Sequence, residues 1–311
     1  MHQLRIGISG WTYPPWRKAF FPEGLAQKNE LAFASRQVRS IEINGTFYSL
    51  QTPKSFGAWA DATPEDFIFS VKAPRFITHI RRLKDVEKPL ANFWASGVLR
   101  LGAKLGPILW QLPPSFSFDA NRLEEFFALL PRDLATAARH ARHHDEHLRT
   151  PAWMTIRANR PLQHALEVRH ASFETPQFLK LLRKHRIGVV VADTAGKWPQ
   201  IETATSDLVY VRLHGAQQLY VSGYSPAALK SWAAKIVRWH RTKDVYVYFD
   251  NDVKVHAPFD AMTLAHLLGT GPAAPPFPLG TPEDVNPTKA PYKPRGRSPR
   301  PVPRQKPPGY R

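Results

Sequence analysis

Glu42, Glu167 and Asp193 stand with Lys72, Arg169, Arg212 and His214 at the polar ends of short apolar runs in this 311-residue chain. Acids and cations gathered this way could bind an anionic group and move a proton. The cations would hold the anion through charge-assisted hydrogen bonds, with Arg212 able to grip a phosphate or carboxylate at two points. Glu42, Glu167, Asp193 or His214 would supply the acid–base step. Phosphoester hydrolysis is the reaction this mixture suggests. Glu42 and Glu167 acting as paired bases of a sugar or small-acid isomerase is a second chemistry. A divalent metal held by Glu42, Glu167, Asp193 and His214 is a third, but Lys72, Arg169 and Arg212 at the same place would repel a cation, so no metal is expected. The non-catalytic alternative is that the acids and bases neutralise one another, because buried charges must be paired.

These residues can meet only if the runs carrying them form one closed sheet. Apolar runs at 4–11, 40–46, 67–73, 107–113, 164–170, 188–193, 208–214 and 245–251 alternate with helical patterns, which predicts a TIM-type (β/α)8 barrel. Side chains alternate faces along a strand, so one parity should point into the barrel mouth. That parity is taken as Ser9, Glu42, Asn44, Ser70, Lys72, Gln111, Glu167, Arg169, Asp193, Arg212, His214 and Asn251. Helices are expected over 25–39, 55–62, 85–105, 121–130, 175–185, 226–241 and 261–268. The connection 194–206 is short and polar, so one helical element should be degenerate.

Aromatic residues follow the same strand ends. Trp11, Tyr13 and Tyr48 after the first two strands, and Tyr224 after the seventh, are candidates to stack on a ligand. Trp16 and Phe47 read as loop packing. His79, in the loop after strand three, could cover the site, and Gly215 after His214 could admit a close approach to the backbone.

Residues 131–163 form an insertion before strand five, rich in His and Arg. Its histidines, from His140 to His147, have helical spacing that could ligate a metal, but a solvated basic helix is the simpler reading. The chain lacks cysteine, which excludes disulfides, thiolate metal sites and cysteine nucleophiles, and a cytoplasmic location is expected. No run approaches the roughly 20 apolar residues of a membrane span, and the N-terminus reads as a strand and not as a signal peptide. No glycine-rich phosphate loop or nucleophile elbow is present, so no cofactor can be named.

The net charge is +18, of which residues 271–311 carry +6 and residues 1–270 carry +12. The 271–311 segment holds 13 prolines and few large apolar residues, so a barrel domain over 1–270 with a disordered basic tail is expected. So basic a chain also fits a nucleic-acid-binding protein without catalysis, whose affinity would fall steeply with salt.

Eight ordered motifs resemble the YecE-like family, known as domain of unknown function 72. They are Gly-Ile-Ser-Gly-Trp-Thr-Tyr at 7–13, Glu-Ile-Asn-Gly-Thr-Phe-Tyr at 42–48, Ser-Val-Lys-Ala at 70–73, Ile-Thr-His at 77–79, Gln-Leu-Pro-Pro at 111–114, Glu-Val-Arg-His at 167–170, Tyr-Val-Arg-Leu-His-Gly at 210–215 and Tyr-Phe-Asp-Asn-Asp at 248–252. The resemblance covers about residues 6–268 and implies a TIM-barrel-like fold without an established reaction. At strand eight the family commonly has Phe-Asn-Asn, where this chain has Phe249-Asp250-Asn251. Val-Lys-Val then follows Asp252 in place of a glycine-containing turn.

Overall fold

The computed structural model describes residues 2–271. Eight parallel strands close into a barrel in sequence order: β1 (Leu4–Ser9), β2 (Ser40–Ile43), β3 (Ile68–Lys72), β4 (Leu105–Gln111), β5 (His164–Glu167), β6 (Gly188–Asp193), β7 (Leu208–Leu213) and β8 (Asp244–Phe249). Closure is direct, with Leu4 to Ile8 of β1 in register with Val245 to Phe249 of β8.

The helices in chain order are α1 (Glu30–Gln37), α2 (Gly45–Tyr48), α3 (Pro53–Ala62), α4 (Glu87–Ala95), α5 (Ala120–Leu129), α6 (Leu134–Ala141), α7 (Pro176–Lys184), α8 (Pro226–His240) and α9 (His256–Leu267). Several open with a side-chain cap followed by proline. Thr52 caps α3, Thr175 caps α7 and Ser225 caps α8, each accepting from a backbone N–H one turn on. The predicted helix over 85–105 is two pieces, α4 and a 3-10 stretch Val98–Lys104. Gly97 separates them with φ 115°, where a Cβ would lie 2.6 Å from Pro53 Cα. The helix expected over 25–39 is confined to α1 after a 3-10 turn, Gln27–Asn29. The connection 194–206 contains no helix, so that element is degenerate as expected.

Two apolar layers hold the barrel. Outward strand residues such as Ile8, Ile41, Phe69, Trp110, Leu166, Val191, Val211 and Val247 pack under the helices. Inward residues Ile68, Leu109, Ala165, Val190, Ala192 and Leu208, with Tyr210, Tyr246 and Tyr248, fill the interior. The tyrosines give the interior a polar side. Tyr248 Oη shares a hydrogen bond with Ser40 Oγ at 2.7 Å, and Tyr210 Oη shares one with Ser70 Oγ at 2.7 Å.

The 131–163 insertion contributes α6 and is pinned to the barrel through His164. Trp110 Nε1 donates to His164 Nδ1 at 3.1 Å, and His164 Nε2 bonds to the Pro131 carbonyl at 2.7 Å. Burial pushes His164 down to about 3, so it is a neutral structural histidine. No helix among the described residues is long and apolar enough to cross a membrane. The expectations for the basic tail lie outside the described residues.

Candidate functional site at the barrel mouth

Arg212 is the centre of the mouth and is fully buried. Its Nε and one terminal nitrogen grip Glu42 at 3.1 and 2.8 Å. The other terminal nitrogen donates to Glu167 at 2.8 Å, and a further bond of 2.9 Å goes to Asp250. One guanidinium therefore serves three carboxylates. The fork geometry of arginine makes this possible, since its donors leave one plane in different directions.

Two of those carboxylates accept further bonds. Glu42 also accepts from Ser9 Oγ at 2.9 Å and Tyr210 Oη at 2.6 Å. Glu167 also accepts from Gln111 at 2.8 Å and from Arg169 Nε at 2.7 Å. Burial alone would raise the Glu167 carboxyl, but Arg169, Arg212, His214 and Lys72 overcome it and hold it well below the usual range. Asp250 is held at about 2, where Arg212 and His214 outweigh burial. His214 is kept neutral by burial and by Arg212; its Nε2 faces Arg212 at 3.3 Å and its Nδ1 lies 3.0 Å from Asp250.

Several sequence expectations are corrected here. Arg212, expected to grip an anion, has its donors engaged by Glu42, Glu167 and Asp250. Glu42 and Glu167, expected as acid–base groups, are engaged as acceptors by the same arginine and its neighbours. Asn251 and Asp193 have the wrong parity. In β8 the inward positions are Tyr246 and Tyr248, so Asp250 enters the mouth. Asn251 points away and donates to Ser222 O and Asp260. In β6 the inward residues are Val190 and Ala192; Asp193 lies opposite the outward Leu213 and accepts from Tyr224 Oη at 3.1 Å. Tyr224 is buried in that bond and against Phe249, so it packs the loops instead of facing a ligand. Trp11 leans edge-on against Trp59 of α3 at 5.4 Å, away from the mouth's centre. The close approach expected at Gly215 comes from the protein's own loop, since a Cβ there would lie 2.5 Å from Gln218 O.

The remaining candidates do gather. Tyr13 donates to Ser9 O at 2.6 Å and packs on Trp16 at 4.7 Å, while Asn44 Oδ1 is buried without a hydrogen-bond partner among the described residues. Arg169 lies over the Trp198 ring at 3.9 Å. Lys72 stands apart. Its side chain is buried, its Nζ lies 4.3 Å above the Phe47 ring, and no carboxylate reaches it within 4.0 Å among the described residues. Burial and Arg212 lower it to about 8 against the pull of Glu42, Asp250 and Glu167. His79 packs edge-on to the same Phe47 ring at 5.0 Å. Burial, Lys72 and Arg75 lower it to about 4, so it is neutral at pH 7.

Sequence reasoning missed Asp252. Burial and the neighbouring Asp250 raise its carboxyl to about 7, and its carbonyl accepts from Trp16 Nε1 at 3.2 Å. A carboxyl raised in the fold contributes a penalty that is absent below the unfolded value near 4 and complete above pH 7. Asp252→Asn is therefore expected to raise stability by on the order of 2–4 kcal/mol at pH 8 and to change nothing at pH 4, read by chemical denaturation at both.

Beside the mouth, Phe47 also lines a groove of about 650 Å³ with Tyr48, Phe76 and Ile80. The last three are among the most exposed large apolar residues, at 63%, 51% and 58%. Asp145 and His147 also line the groove and, with Glu146, bring ligand atoms within 4.8 Å of one another, the one metal-competent group of three or more among the described residues, and it is largely exposed.

The profile of a family described as protein of unknown function DUF72 matches residues 5–283. The chain belongs to the DUF72 family. The match extends past the boundary expected at residue 270. UPF0759 protein YecE of Escherichia coli is 24% identical over 261 residues, covering 82% of this chain and 89% of that protein. UPF0759 protein YunF of Bacillus subtilis is 29% identical over 118 residues, 36% of this chain. Among solved structures, a DUF72 protein of Thermotoga maritima superposes with TM-score 0.68 at 26% identity, over 86% of this chain and all of that one. A DUF72 protein of Enterococcus faecalis superposes with TM-score 0.67 at 16% identity, over 85% and 95%. Asp250, at the place where the family motif commonly reads Asn, gives Arg212 its third carboxylate in this chain.

Proposed function

We propose that the mouth is the active site of a hydrolase acting on a small phosphoester, with Lys72 holding the anionic group. The observation that carries this reading is the buried Lys72 amine, which no carboxylate reaches within 4.0 Å among the described residues, beside three carboxylates already bonded to Arg212 and Arg169. An ammonium removed from water is costly unless something negative arrives to meet it. Arg169, with one edge on Glu167 and its face on Trp198, stands ready as a second cation. The groove along Tyr48, Phe76 and Ile80 suits an aromatic or apolar remainder, which favours aryl phosphates as substrates.

The acid–base roles follow from protonation state. Glu42 and Glu167 have both oxygens engaged and Asp250 is held ionised by Arg212, so neutral His79 is the candidate to orient or deprotonate water. Asp252, protonated in part at pH 7, is the candidate to protonate the leaving oxygen.

Purified protein should release phosphate from aryl phosphates in preference to alkyl phosphates. Tyr48→Ala should raise KM for the aryl series about tenfold and leave the alkyl series unchanged. Failure to turn over any phosphoester would remove the reading. The charge of +12 on residues 1–270 favours the rival, nucleic-acid binding without catalysis. That rival requires oligonucleotide affinity that falls steeply with salt and is indifferent to Lys72.

A further inference from the structure

At the end of the barrel opposite the mouth, a cavity of about 500 Å³ opens where β5, β6 and β7 begin. Its wall carries Arg132, Lys184 and Arg186 against a single acid, Asp207. Two of these charges are already explained. Lys184 pairs with Glu124 at 2.8 Å and sits in the last turn of α7, where a cation complements the helix dipole. Asp207 is engaged by Lys243 at 2.9 Å. His185, also on the wall, reaches Glu124 at 2.7 Å.

Arg132 and Arg186 are left over. Neither has a carboxylate within 4.0 Å among the described residues. Arg132 uses one terminal nitrogen to reach the Phe127 carbonyl at 3.2 Å, at the end of α5. Arg186 sits at φ 50° in the tight turn between α7 and β6, closed by its N–H to Arg183 O at 3.1 Å. Burial and Arg186 both push Arg132 down, so the two guanidinia are near enough to repel. Like charges lining one cavity repel, and an anion lying between them relieves that repulsion. Guanidinium pairs match phosphate because each offers parallel N–H donors to its oxygens. Leu162, Pro161 and Leu208 give the same cavity an apolar side for an organic remainder.

We propose that this cavity is a second binding site, separate from the mouth, for a small phosphorylated ligand whose phosphate is held between Arg132 and Arg186. Catalytic groups in TIM barrels lie at the other end, so a ligand here acts on stability or activity and is not turned over. The proposal does not depend on the reaction at the mouth.

Pyrophosphate is the probe, titrated calorimetrically into the full chain and again into the chain carrying Lys72→Met, which removes the cation proposed to hold an anion at the mouth. Saturable binding is expected at near-physiological salt, with sulfate much weaker. Arg186→Ala, at an exposed position, should lower the affinity at least about tenfold while the thermal melt stays that of a folded protein. Arg132→Gln should do the same. Absence of saturable binding, or binding that both substitutions leave unchanged, overturns the proposal. Capture of a short oligonucleotide with no response to pyrophosphate also overturns it, since the phosphate would then belong to a nucleic-acid backbone.

Discussion

Arg212→Met is expected to destabilise the protein by about 3–5 kcal/mol, because it strands Glu42, Glu167 and Asp250 in a buried site without their shared counter-charge. Methionine fills similar volume, so the loss is electrostatic and not a cavity effect. The pH response separates the two causes. In the native protein, Asp250 is depressed to about 2, so its stabilisation is present above the unfolded value near 4 and is lost as pH falls towards 2. In the variant the same carboxyls bind protons more readily when folded, so the deficit should shrink between pH 7 and pH 4. Urea midpoints across that range measure it, and a deficit independent of pH would refute the electrostatic account. Asp250→Asn keeps an acceptor and removes one of three negative charges, so its effect should be far smaller.

Lys72→Met should do the opposite to stability while removing function. A lysine lowered from 10.5 to about 8 is disfavoured as a cation in the fold, a penalty that is complete below pH 8 and vanishes above pH 10.5. Removing the charge should therefore stabilise the protein by roughly 3 kcal/mol at pH 7. Removing the cation that meets the substrate should lower kcat/KM on aryl phosphates by about 10²–10³-fold. Lys72→Arg restores a charge but not its compact shape, and should recover binding more than turnover. A more stable, inactive variant is the signature of a residue held at a cost for its task. If Lys72→Met is instead less stable, the amine serves the fold, and the case for this active site falls with it.

The barrel was legible because its strands end in polar residues and its helices are punctuated by Pro and Gly. The inward parity was legible on β2, β3, β4, β5 and β7, where Glu42, Lys72, Gln111, Glu167 and Arg212 stand two residues from other inward groups. It slipped on β6 and β8. Strands of a parallel barrel are covered on both faces, so Val189-Val190-Val191-Ala192 and Val245-Tyr246-Val247-Tyr248 show no polar alternation to fix the register. The usable signal was Tyr246 and Tyr248, whose spacing matches Tyr210, Arg212 and His214 on the neighbouring strand and leads to Asp250. Pairing was not legible at all. That Arg212 is fully committed while Lys72 is not depends on distances between strands remote in sequence. The Arg132 and Arg186 cavity has no local motif, because its halves stand 54 positions apart with β5 between them.

The bonds across the barrel interior also decide when the protein can become itself. Ser40 meets Tyr248 and Ser70 meets Tyr210, while Glu42 meets Arg212, so the first third of the chain is tied to the last across separations of 208, 140 and 170 residues. During synthesis the Glu42 carboxyl emerges long before its guanidinium, and a half-barrel that closed early would trap that charge alone. The early strands are therefore expected to stay open until β7 arrives, and the mouth is assembled last. Stability and chemical competence then appear in the same step, and a shortened chain lacking β7 and β8 has neither.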